Sequence, residues 1–149
     1  MRRARPLVLV ALGAVLALAP VAAGAQAPVR SPRVNYMVNC QGCHLPDGRG
    51  MAGKVPAMRG YLANFLRVEG GRDFLVRVPG VANAALSDAE LAALLNWLIP
   101  AMGPRLPAGF TPYTEEEVHR LRAQRLQDVQ PLRAALVARI EAGAAATQR

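Results

Sequence analysis

Asn39-Cys40-Gln41-Gly42-Cys43-His44 holds both cysteines of this chain and one of its two histidines. Cys-x-x-Cys-His is the attachment spacing for a c-type haem. The two thiols can add to the two vinyl groups of a porphyrin, and a histidine that follows at once is brought under the iron as proximal ligand. Gln41 and Gly42 let the backbone bend beneath the ring. Cys40, Cys43 and His44 are therefore the candidate cofactor residues, with His44 the candidate iron ligand. A chain built this way has to fold around one covalent haem c.

Two other chemistries use a cysteine pair. Zinc needs four ligands, and the only further candidate, His119, lies far along the chain. A thioredoxin-type pair sits in a βαβ pattern, which the sequence does not show.

Residues 1–25 read as a secretory signal peptide. Arg2, Arg3 and Arg5 form its charged start, Leu7 to Ala19 its apolar run, and Ala23-Gly24-Ala25 its cleavage site. The run is too short for a membrane span, which needs about 20 residues, so no span is expected after cleavage. Export implies an oxidising compartment, the periplasm. The rest of the chain is enough for one domain. The net charge is +8, and part of that excess leaves with the signal arginines. The remaining basic excess suits an acidic partner. It does not suit nucleic acid: the arginines are scattered and the aromatics few, so no stacking platform forms.

The expected architecture is all-α. A helix is expected over residues 33–43, with Tyr36, Cys40 and Cys43 at helical spacing. Pro46-Asp47-Gly48-Arg49-Gly50 marks a turn, and irregular loop continues to Gly60. Residues 61–68 are weakly helical, and 73–78 reads as a short helix or a short strand. Ser87-Asp88-Ala89-Glu90 forms a capping box ahead of Leu91, Leu94, Leu95 and Leu98, with Pro100 expected to end that helix. Trp97 continues its apolar side. Thr114-Glu115-Glu116-Glu117 forms a second capping box. Beyond it, Val118 and Leu121 share one helical face, and Leu132, Leu136 and Ile140 share another.

On the haem motif, the Pro56-Ala57-Met58-Arg59-Gly60 segment and the capped leucine helix, the chain resembles a class I, monohaem bacterial cytochrome c over residues 32–100. The resemblance implies a small helical domain over residues 26–102, with residues 103–149 left as a helical C-terminal extension. That extension could cover the haem edge, lie on the back of the domain, or dock a partner. The resemblance places Tyr36 and Trp97 at the crossing of the first and last family helices. It makes Pro56 the residue whose carbonyl accepts the proton of the proximal imidazole, which fixes the ring and raises its basicity.

The departure is the sixth iron ligand. The family supplies a methionine from the loop before its last helix, yet no Met or His lies between Gly60 and Ser87. Asn83 is the only side chain of that loop within reach of an iron. Of the methionines outside the window, Met102 is the first candidate, Met58 is more in keeping with packing against the porphyrin, and Met51 lies too near the proximal loop. His119 reads as a solvated surface residue. The implied function is periplasmic electron transfer, as a carrier or as a subunit beside a dehydrogenase, through redox protein partners. An open distal site for gas sensing or peroxidase-like chemistry is the alternative. No acid–base or nucleophile constellation points to substrate turnover.

Overall fold

The computed structural model describes residues 30–103 and 105–147; the signal peptide expected over residues 1–25 lies outside them. The described residues form seven α-helices and one 3-10 turn, with a single isolated β-bridge between Met51 and Val55.

Helix α1, Pro32–Asn39, starts on Ser31, whose hydroxyl accepts from the Val34 amide at 3.4 Å, and has Pro32 in its first turn. The expected single helix is broken at Cys40, where φ is −124°. The ladder restarts as α2, Gln41–His44, with the His44 amide on the Cys40 carbonyl at 3.0 Å. The stretch with undecided periodicity is helical: α3 covers Gly71–Arg77, after a 3-10 turn over Leu62–Arg67. A short α4, Pro79–Ala82, follows, with Pro79 in its first turn.

Helix α5, Asp88–Met102, opens on the capping box, with the Glu90 amide on Ser87 Oγ at 3.2 Å and the Ser87 amide on Glu90 Oε2 at 2.9 Å. Its Leu91, Leu94, Leu95 and Leu98 are buried, as their spacing requires. Pro100 does not end this helix. A proline removes one amide from the ladder, and here the last turn still closes through the Gly103 amide on the Ile99 carbonyl at 2.8 Å. Helix α5 crosses α1, and there the rings of Tyr36 and Trp97 lie 6.1 Å apart at 55°. Tyr36 is buried, while Trp97 is half-buried.

The C-terminal region packs onto this unit. Asn96 of α5 brackets the Tyr113 backbone with two hydrogen bonds, of 2.9 and 2.8 Å. Buried Tyr113 donates its hydroxyl to the Arg72 carbonyl at 2.9 Å, and the Arg72 guanidinium stacks 4.0 Å from the centre of its ring. Burial pushes the Tyr113 phenol well above the usual range. Helix α6, Glu115–Arg122, is capped by Thr114 and buries Val118 and Leu121. Helix α7, Gln130–Thr147, buries Leu136 and Ile140.

Candidate functional site

Cys40, Cys43 and His44 fall at i, i+3 and i+4 of one turn, so all three can present to one side. All three line a single cavity of 430 Å³, within the range of small-molecule and cofactor sites. Leu62, Phe65, Leu95, Leu98 and Ile99 add apolar surface from the 3-10 turn and α5. A hollow of 510 Å³ between the 3-10 turn and α7 is larger, but it carries no thiol or imidazole.

The loop after His44 is shaped by glycine. Gly50 has φ +66°, and its amide meets the His44 carbonyl at 3.1 Å. A side chain there would run into the Val55 carbonyl and stand 2.8 Å from the Pro56 oxygen. Gly48, at φ +74°, accepts from the Met58 and Arg59 amides at 2.8 and 3.0 Å. The chain thus doubles back, and Pro56, Ala57 and Met58 join the cavity lining.

His44 Nδ1 is buried and has no hydrogen-bond partner. Burial lowers the imidazole pKa, and the nearby Pro56 backbone raises it by a smaller amount. Pro56 and His44 line the same cavity, but the expected hydrogen bond from the ring to the Pro56 carbonyl is not formed. Burial also pushes the Cys40 thiol up. Two free thiols, an imidazole with one orphaned nitrogen and an apolar cavity suit a covalently held porphyrin. Zinc is poorly served, because no group of three or more His, Cys, Asp or Glu converges among the described residues.

The other candidates lie elsewhere. Met102 does not line the cavity: a methyl group built on Gly48 would stand 2.6 Å from its sulfur, and its carbonyl accepts from the Gly60 amide at 2.6 Å. Met51 is exposed. Asn83 is exposed and accepts from Arg125 Nη1 at 2.9 Å. His119 is largely exposed, as expected, with Nδ1 2.8 Å from Asp88 Oδ2.

Two contributions escaped the sequence. Helical spacing marks Tyr36 for packing, yet its hydroxyl also donates to the Leu45 carbonyl. Leu45 has φ +65°, a conformation a leucine holds only when its surroundings fix it. Tyr36 therefore pins the residue next to the histidine. The second, left open among three placements by the sequence, is the C-terminal region: Val129, Gln130 and Arg133 line the cavity, so the extension adds to its wall. An amphipathic face at residues 118–140 was legible, but nothing in it named its target.

No protein-family model matches the chain. It is similar to a cytochrome c-552 of Thermus thermophilus, at 34% identity over 128 residues, 73% of this chain and 86% of that protein. A second Thermus thermophilus cytochrome c-552 is 38% identical over 112 residues, covering 62% of this chain and 86% of its own length.

Proposed function

The chain belongs to the class I c-type cytochromes, an electron-transfer family with covalent haem c, and on that premise we propose that it carries electrons in the periplasm, beside a dehydrogenase or a similar redox partner. It is an electron carrier rather than an enzyme. The haem supplies a one-electron couple, and the protein sets access and potential through ligation and burial. The observation that supports this reading is the convergence of Cys40, Cys43 and His44 on one apolar cavity.

Each side chain has a distinct part in the proposal. The Cys40 and Cys43 sulfurs form the thioethers. His44 ligates iron through Nε2. Its Nδ1, without a partner here, would donate its proton to the Pro56 carbonyl in the haem-bound protein. The basic excess of the chain favours an acidic partner. Val34, Met37 and Val38 leave an apolar strip of α1 exposed beside the cysteine motif, where a partner can dock. No helix among the described residues is long and apolar enough to cross a membrane.

Denaturing electrophoresis with haem staining tests the attachment. Wild type should keep the stain on the chain, and a Cys40→Ala/Cys43→Ala variant should lose it. Covalent haem in the double variant would overturn the assignment. Fractionation of the native host tests the compartment, with the periplasmic fraction expected to hold the stained band.

A further inference from the structure

The cavity is lined differently away from the cysteine motif. From α3 to α4 its wall is Phe74, Leu75, Val78, Pro79, Gly80 and Val81, joined by Val129 of the C-terminal region. None of these carries a sulfur, an imidazole or any other side-chain donor to iron. Gly80 is exposed, and a methyl group built on it would meet nothing within 4 Å, so this end of the wall opens to solvent. Gln130 and Arg133 are the polar residues of the same region; Gln130 is exposed and Arg133 half-buried.

Two of the other candidate donors, Asn83 and Met102, are held away from this wall. Arg122 binds the carbonyls of Ala82, Ala84 and Leu86 at 3.0, 2.8 and 2.8 Å, which fixes the segment that follows the wall. Arg125 holds the Asn83 side chain, and Met102 packs its sulfur against Gly48. Met58 does line the cavity, but its amide is tied to the Gly48 carbonyl at 2.8 Å, on the loop that belongs to His44.

We propose that this chain leaves the sixth iron position to an outside molecule, and that the wall of Val78, Pro79, Val81 and Val129 forms a site for a small uncharged diatomic ligand. The inference rests on the haem reading above. It goes beyond that reading, because a carrier needs no such site. The ligand class follows from the wall. An anion placed against these four apolar side chains would lose hydration that none of the four replaces, whereas an uncharged diatomic loses little; Gln130 and Arg133 are the donors it would have to reach beyond them. Binding is coordination alone: the ligand donates a lone pair to ferrous iron, no bond breaks, and no electron is transferred.

The test uses the full holoprotein with carbon monoxide as probe. Ferrous protein should show a saturable shift of its main absorption band, and ferric protein should lack the methionine–iron charge-transfer band. Azide should bind the ferric form at least tenfold more weakly than carbon monoxide binds the ferrous form. A methionine–iron band in wild type, or no spectral change at saturating carbon monoxide, overturns the proposal. Tighter binding of azide overturns the ligand class. Reversible one-electron reduction is recorded on the same sample. A protein that is reduced reversibly but ignores carbon monoxide sinks this inference and leaves the carrier reading standing. A chain without covalent haem sinks both.

Discussion

The loop from Leu45 to Gly60 and the segment from Val78 to Asp88 both border the cavity, yet they are held in different ways. The first is tied mainly by its own backbone, with the Tyr36 hydroxyl on the Leu45 carbonyl and the Met102 carbonyl on the Gly60 amide as its ties from outside. Gly48 and Gly50 take left-handed conformations, and amide–carbonyl bonds of 2.8–3.1 Å join His44 to Gly50, and Gly48 to Met58 and Arg59. The second is tied from outside. Arg122 reaches back 34 to 40 residues to three carbonyls and to Asp88 Oδ1. Arg77 Nε donates to the Gln124 carbonyl at 2.7 Å, and the Leu126 amide to the Arg77 carbonyl at 3.0 Å. The histidine side is thus encoded largely within its own loop, and the other side depends on the C-terminal region.

The comparison breaks first at Gly50. Gly50→Ala combines a positive φ with a clash against backbone that has little room to shift. A loss of about 3–5 kcal/mol in urea unfolding of the holoprotein is expected. A loss under about 1 kcal/mol would mean the loop has a second conformation and is not locally fixed.

Arg122→Ala attacks the other side. It leaves buried or half-buried carbonyls without a donor and Asp88 without its cation. The expected cost is about 2–4 kcal/mol. Hydrogen exchange should quicken over residues 78–88 and stay slow over 45–60. Equal quickening of both regions would erase the contrast.

Trp97→Ala tests the helix crossing beneath both regions. A fully buried tryptophan would cost about 3–5 kcal/mol. Trp97 is half-buried, so about 1–2 kcal/mol is expected. Both regions should loosen together, since neither depends on this ring alone.

The same contrast explains what could be read from the sequence. The haem motif, the Pro46–Gly50 turn and the Ser87/Glu90 capping box are encoded within a few residues, and the structure forms each of the last two as expected. Helix spacing likewise marked Leu91, Leu94, Leu95, Leu98, Val118, Leu121, Leu136 and Ile140 for burial. The arginine contacts were not legible. Arg72, Arg77 and Arg122 look like ordinary surface charges along the chain, and their partners lie dozens of residues away. Which of its three expected placements the C-terminal extension takes was hidden for the same reason. Pro100 misled because a proline in the last helical turn removes a bond that the remaining ones can do without.

The smallest expected effect concerns pH, and it isolates the outside ties from the local ones. Arg122, then His119, hold the Asp88 carboxyl below the usual carboxylate range. Arg72 does the same for Glu117 through bonds of 2.6 and 2.7 Å. A carboxylate whose folded pKa is depressed contributes stability that is fully present above its unfolded pKa. That contribution is lost as pH falls through the folded value. The loss should therefore begin below about pH 4 to 4.5, where unfolded Asp and Glu titrate. Both groups keep contact with water, so screening makes the effect modest. The urea midpoint of wild type should fall through this window. Asp88→Asn and Glu117→Gln should each start lower at neutral pH and fall less on acidification, and the double variant should be flattest. Gly50→Ala should keep the full wild-type slope, because it leaves Asp88, Glu117 and their arginines in place, and the loop's own carboxylate, Asp47, meets Arg49 and Arg59 only in exposed pairs that solvent screens. If Asp88→Asn/Glu117→Gln loses stability on acidification as steeply as wild type, the acid-sensitive tie lies elsewhere, and the arginine-held side is no more pH-dependent than the backbone-held one.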